Sequence, residues 1–364
     1  MPGSTPRPTR PPITALGVIG WLRLNLFSSW LNTGLTLLAL YLLYATVPPL
    51  IQWAFIDADW QGEDRGDCAT GGACWVFIRL RLYQFMYGFY PHAEVWRVNS
   101  ALFLLVALSI PLFIRRFPHK GWLGAFLLVV YPVIAFYLFL GGAFGLELVE
   151  TAQWGGLMLT LILAAVGITA ALPLGIILAL GRRSQMPVVK ALCIGFIELW
   201  RGVPLITVLF MSSVMLPLFL PEGVSIDKLL RALIGIALFQ SAYMAEVVRG
   251  GLQAIPKGQY EAAEAMGLGY WRMMGLVILP QALKLVIPGI VNTFIALFKD
   301  TSLVLIIGLF DLLAIIQSAF ADPEWLGYSV EGYVFAALVF WAFCFGMSRY
   351  SQALERRLGT GPEG

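Results

Sequence analysis

The sequence predicts an all-α polytopic membrane protein with about eight transmembrane helices. Three observations predict it. Hydrophobic residues make up 59% of the 364 and charged residues only 12%, half the roughly 25% of a soluble domain. Eight apolar runs are each long enough to cross a bilayer core, which takes roughly 20 residues. The runs are continuously apolar and do not alternate with period two, which excludes a transmembrane β-barrel. The composition also excludes a soluble enzyme, a disordered chain and a nucleic-acid binder. A net charge of +3 is too small to call for a polyanionic partner.

The runs fall at about residues 30–55, 98–114, 121–142, 154–181, 191–220, 230–249, 285–315 and 332–349. Residues 1–29 form a cytoplasmic or interfacial lead, and the first twelve, MPGSTPRPTRPP, have a composition that cannot pack and predict disorder. No signal peptide is evident, because the first long apolar run starts late and is too long for a signal-peptide core. Residues 13–27 fit either a helix lying in the inner interface or a simple lead into span one. Residues 30–150 hold three spans, 151–355 hold five, and 356–364 are a tail.

Basic residues set the orientation. Arg115, Arg116 and Lys120 lie between spans two and three, and Arg182, Arg183 and Lys190 between spans four and five. Lys257, Arg272 and Lys284 lie in the loop 250–284, and Arg349, Arg356 and Arg357 near the C-terminus. With eight spans these all fall on one side, the cytoplasmic one, and both termini are inside. The opposite loops carry Glu147, Glu150, Asp322, Glu324 and Glu331.

The longest outside loop is 57–97. In it Cys68 and Cys74 bracket five small residues. On an oxidising face they could close a disulfide ring; the alternative is two free thiols. Cys193 and Cys344 lie in spans and read as packing residues. The aromatic-rich stretch 75–90 reads as an interfacial belt or loop helix, or as a docking surface for an external partner. No cluster of residues suggests a catalytic or metal site. The two histidines, His92 and His119, fall on opposite sides of the membrane.

The loop 250–284 is too long to be a simple connection. Pro256 and Gly258 end the incoming span, QYEAAEAM is a strong helix former, and Gly267 and Gly269 break it. A second helical stretch, WRMMGLVIL, leads to Pro280. This helix–Gly–helix unit predicts a projecting knob. Ala262, Ala263, Met266 and Leu268 line part of it, and Glu261 and Glu264 are free to face a basic partner. Such a knob suits a groove on a cytosolic protein.

Glu261, Ala262 and Ala263, then Gly267 four positions later, then Val277, Ile278, Leu279 and Pro280 resemble the EAA loop of bacterial ABC importer permeases. Ile is usual where Val277 stands. Glu198, Arg201, Gly202 and Pro204 resemble the E-x-x-R-G-x-P element of the polar amino acid uptake permeases. The stretch Ala242–Gln259 and the run Phe298-Lys299-Asp300-Thr301-Ser302-Leu303 are similar to two further elements of that family. The resemblance covers about 154–355. The three extra N-terminal spans look like the larger permease subunits of general L-amino-acid and glutamate/glutamine/aspartate/asparagine systems.

The resemblance implies a five-helix permease core with a three-helix extension in the bacterial inner membrane. It implies two separate ATPase subunits, a second and different permease chain, and an extracytoplasmic amino-acid-binding protein. Glu261, Ala262, Ala263, Gly267, Leu279 and Pro280 would couple this chain to the ATPase. ATP and Mg would belong to that partner; this chain has no G-x-x-x-x-G-K-[ST] phosphate loop and is expected to bind no cofactor.

Charges inside spans point to function. Glu198 and Arg201, three apart, share a helix face and can pair. Gln240, Tyr243 and Glu246 line one face of span six. Lys299 and Asp300, with Thr301, Ser302 and Asn292, offer both signs of charge and hydroxyls to a zwitterionic amino acid. Two facts weigh against that. Adjacent residues point about 100° apart on a helix, and intramembrane charges commonly tie helices to one another. Pro173, Pro204, Pro217 and Pro288 can kink their helices. The rival reading is a self-sufficient secondary transporter, which predicts internal repeats and leaves the EAA-like loop without a purpose. A membrane enzyme would need clustered acid–base residues.

Overall fold

A computed structural model describes residues 17–68, 71–114, 117–143, 145–221 and 223–359. The segment 1–12, Arg115 and Arg116 lie outside the described residues. The chain divides into two compact units, Met1–Phe77 and Ile78–Gly364.

In the first unit a short helix, α1 (Val18–Asn25), precedes α2 (Trp30–Ile56). The Ser29 hydroxyl caps α2 by accepting from Asn32 N–H at 3.2 Å. No residue of Trp30–Ile51 is buried, and the helix is apolar on every face, which suits a lipid environment. Beyond it the chain doubles back. Ala73 N–H donates to Trp53 O and Asp59 N–H to Ala73 O. Cys68 and Cys74 are joined by a disulfide, with Cα atoms 5.5 Å apart. Trp53 and Trp60 both stack near Trp75. A Cβ at Gly72 would lie 2.0 Å from Asp57 O, so only glycine closes this ring.

The boundary between units falls inside α3 (Trp75–Tyr87). Then follow α4 (His92–Leu112), α5 (Lys120–Leu140) and α6 (Gly156–Arg182). Next come α7 (Pro187–Gly202), α8 (Leu205–Phe219) and α9 (Lys228–Ala254). The helices of the loop 250–284 are α10 (Lys257–Ala265) and α11 (270–285). The last three are α12 (Ile287–Ile307), α13 (Leu312–Phe320) and α14 (Ser329–Leu358). Among the described residues, β-structure is limited to isolated bridges.

Among the described residues, seven helices are long and apolar enough to cross a membrane: α2, α4, α5, α6, α9, α12 and α14. Two expectations need correcting. The fifth predicted span, 191–220, is not one continuous helix. It is the pair α7 and α8, bent by 103°. Pro204 has no N–H and forces the preceding residue out of helical geometry; Val203 is extended, with ψ 136°. Counted as one crossing, the pair makes eight. The predicted span 285–315 ends at Ile307. Gly308 adopts φ +71°, a left-handed stop, and Asp311 then caps the separate helix α13 through Leu313 and Ala314 N–H.

The core of the bundle is the α6–α9 pair. Along α6, Gly167, Ala171, Gly175 and Ala179 recur every four residues and are all buried. That spacing makes a small-residue face on which another helix can lie close. A Cβ at Gly175 would stand 2.6 Å from Met244 Cγ of α9. α9 is buried on most of its surface, including Gln240 and Ser241.

At the end of the bundle away from the loop 250–284, three segments interlock. A Cβ on Gly156 would stand 2.3 Å from Phe85 O at the end of α3. Gly156 N–H donates to Phe310 O, and the Thr160 hydroxyl accepts from Leu312 N–H at 3.0 Å. Arg81 of α3 pairs with Asp322 at 2.5 Å. Ile78, Phe85 and Tyr90 of the aromatic stretch are buried, so these three are packing residues.

Candidate coupling loop and intramembrane charge cluster

The loop 250–284 is two helices joined by a tight left-handed turn. Gly267 has φ +73°, where a side chain would be strained. Gly267 N–H donates to Glu264 O, and Leu268 N–H reaches back to Ala263 O. This double closure satisfies the last carbonyls of α10. In α11 a π-type turn over Met274–Ile278 precedes Pro280; the wider turn accommodates a residue that lacks an N–H.

The loop has an inner and an outer face. Ala263 is buried among Met273, Met274 and Ile278, and Leu268 packs against that group. Ala263 therefore belongs to the base of the knob and not to its exposed surface. Glu261, Ala262 and Pro280 are exposed, and Leu279 is half-buried. Met266 and Trp271 are 69% and 76% exposed, leaving an apolar tip beside an acidic helix.

That base is tied to the spans. Gln281 Nε2 donates to Gln259 Oε1 at 3.1 Å, linking α11 to α10. The Tyr260 hydroxyl donates to Leu252 O of α9. Arg183, just past α6, donates to both Leu252 O and the Tyr260 hydroxyl and lies over the Tyr260 ring. A Cβ at Gly251 would be 2.6 Å from Ala282 O, so α9 and α11 also touch closely. Contacts therefore run from the knob to α9 and to the end of α6.

Next to Arg183, Arg182 turns into the bundle. It donates to Glu198 of α7 and to Glu246 of α9, both at 2.9 Å. Glu246 also takes Arg249 at 2.7 Å and stands 3.8 Å from Arg201. One carboxylate, 15% exposed, thus holds three guanidiniums from α6, α7 and α9. The Arg201 guanidinium lies over the Tyr243 ring, 5.6 Å from its centre. Glu198 and Arg201, expected to pair with each other, engage Arg182 and Glu246 respectively. The reason is the third helix: Arg182 approaches from α6 and takes Glu198.

The other path candidates lie apart from this cluster. Gln240 is buried in α9 and Asn292 is exposed on α12. Lys299 is exposed and Asp300 half-buried, at the last α-helical turn of α12. The hydroxyls of Thr301 and Ser302 are used locally, donating to Phe298 O and Lys299 O. They hold the change from α- to 3-10 geometry at Thr301–Ile307. Asp311 is fully buried, and that burial pushes its carboxyl up to about 6 against two backbone N–H donors.

Arg182 and Arg183 were read from sequence only as markers of sidedness. Their separate roles depend on which helix lies opposite, which spacing along one chain does not encode. The small-residue ladder of α6 was legible, as four small residues at a spacing of four.

Helices long and apolar enough to cross a membrane, three of the bundle's helices joined by a charge cluster, and a helical knob tied to one end together fit a membrane transport subunit. The family described as binding-protein-dependent transport system inner membrane component matches residues 171–360, just over half of the chain. The chain belongs to that family. It is 65% identical over 341 residues to the inner membrane amino-acid ABC transporter permease protein YhdY of Escherichia coli (strain K12), covering 94% of this chain and 93% of that protein. It is 40% identical over 425 residues to the glutamate/glutamine/aspartate/asparagine transport system permease protein BztC of Rhodobacter capsulatus, covering 97% and 96%. The probable glutamine ABC transporter permease protein GlnP of Bacillus subtilis is 33% identical over 207 residues, 56% of this chain and 92% of that protein.

The chain is therefore a multi-pass permease subunit of the inner membrane, a transport component and not an enzyme. Membership implies work with a substrate-binding protein, an ATPase and a second permease.

Proposed function

We propose that this chain carries polar amino acids inward and that the loop 250–284 docks on a separate ATPase subunit at the cytoplasmic face. The observation that supports this best is the loop's two-faced build: an exposed tip of Met266 and Trp271 beside Glu261, on a base bonded to α6 and α9. ATP and Mg would be bound by two copies of that ATPase. The amino acid would arrive on an extracytoplasmic binding protein, and a second, different permease would complete the path. The named substrates of similar chains, glutamate, glutamine, aspartate and asparagine, suit this cargo.

Within the path, Lys299, Asp300 and Asn292 are the residues we assign to substrate. Glu198, Arg201 and Glu246 are assigned to joining α6, α7 and α9, because each already has an ionic partner there. In proteoliposomes holding all subunits, ATP-driven uptake of L-glutamine is expected in the native complex and absent in Glu261→Lys. Normal uptake by that variant removes the coupling assignment. Uptake by this chain alone, with no ATPase, would favour a secondary transporter.

A further inference from the structure

At the end of α9 remote from the coupling loop, we infer that a cavity forms a receiving site for the ammonium and carboxylate of a free amino acid. This rests on the reading that polar amino acids are the cargo. The cavity has a volume of about 310 Å³ and is walled by Leu140, Leu148, Glu150, Thr151, Asp227 and Lys228, with Gly308 nearby. Small-molecule sites occupy roughly 300–1,000 Å³, so it is large enough to admit one amino acid.

The wall holds both kinds of group a zwitterion needs. Asp227 is fixed in place: one carboxylate oxygen caps α9 by accepting from Leu230 N–H at 3.0 Å, and the other accepts from the Thr151 hydroxyl at 2.5 Å. That orientation places fixed negative charge beside the cavity. Lys228 and Glu150 differ. Among the described residues, neither the Lys228 ammonium nor the Glu150 carboxylate has an ion pair or hydrogen bond. Lys228 Nζ lies along Gly308, 3.6 Å from where a Cβ there would be. A guest carboxylate would meet Lys228. A guest ammonium would meet Glu150 and Asp227. Leu140 and Leu148 give an apolar wall for the side-chain stem.

This site is distinct from the path residues assigned above. Asp227 and Glu246 sit on one helix, roughly 28 Å apart at 1.5 Å per residue. Leu140, Leu148, Glu150 and Thr151 also precede the segment 171–360 that carries the family match. The site is thus built jointly from that segment and the chain before it. Its position, at the opposite end from the coupling loop, suits cargo just released from a binding protein.

The test uses the full complex in nanodiscs, without binding protein. Saturation-transfer NMR reads its binding of L-glutamine. Lys228→Met and Glu150→Gln are each expected to raise the half-saturating concentration about fivefold, the upper range for one exposed ion pair, while Lys228→Arg stays near native. Glu261→Lys should bind L-glutamine normally yet fail in ATP-driven uptake. Native-like binding by both Lys228→Met and Glu150→Gln overturns the receiving site. So does the absence of any L-glutamine signal in the native complex. In either case ATP-driven uptake by proteoliposomes that hold all subunits, with the binding protein present, shows separately whether amino acids are the cargo. Variants that bind L-glutamine normally but no longer accept the loaded binding protein would also overturn it, in favour of a protein-docking surface.

Discussion

The two ends of α9 use charge in opposite ways. At the coupling-loop end, Glu246 is shared by Arg182, Arg201 and Arg249, and Arg182 is shared again with Glu198. Each charge of that cluster is answered within the protein. At the other end, Asp227 is held by Thr151 and by the helix it caps, while Lys228 and Glu150 face a cavity. Charged groups that bind one another brace helices. Charged groups left facing a cavity are available to a guest. The difference teaches that a charge near a membrane core is informative only with its partners in view.

The largest effect is expected from Glu261→Lys: complete loss of ATP-driven uptake, with the solubilised chain melting as the native one does. If thermal stability fell together with uptake, Glu261 would be part of the brace. Glu246→Gln comes next. It leaves Arg182, Arg201 and Arg249 without their shared anion; because this network is partly exposed, with Arg201 37% and Glu198 56% exposed, the loss is about 1–3 kcal/mol. Denaturation of the solubilised chain should register this as a clear drop in midpoint, and an unchanged midpoint would mean the cluster braces nothing. Gly175→Val should cost about 1–3 kcal/mol, because it drives a side chain into Met244 across the closest part of the α6–α9 seam. Gly267→Ala is smaller, about 1–2 kcal/mol, for a left-handed residue that acquires a Cβ. Its reading is the extent of hydrogen exchange in 257–285, which should rise there and nowhere else. Smallest is Lys228→Met, within about 0.5 kcal/mol on stability. A large destabilisation there would show that Lys228 is structural and erase the contrast between the two ends.

Much of this was legible in the sequence, for physical reasons that can be named. Continuous apolar runs identify spans because the bilayer demands length and low charge. The two-helix build of the loop 250–284 was legible because Pro256 and Gly267 punctuate a helix former and sit at its ends in the structure, while Pro280 falls inside α11, just after the π-type turn. The break between α7 and α8 was harder. Pro204 signalled a kink, yet a bend of 103° depends on what receives the two halves. Partner choice was illegible. Glu198 and Arg201 lie three apart and suggest a pair, but Arg182, sixteen residues upstream, displaces it. The stop at Gly308 was missed because apolarity continues past it to Phe310, and only the left-handed turn and the Asp311 cap end the span.

The central claim is that the knob, and not the opposite end of α9, meets the ATPase. A photo-crosslinking residue placed at Met266, 69% exposed, and in a second preparation at Lys228, tests it directly in the full complex. The account predicts an adduct with the ATPase subunit from position 266 and none from position 228. An ATPase adduct from 228, or none from 266, would contradict it.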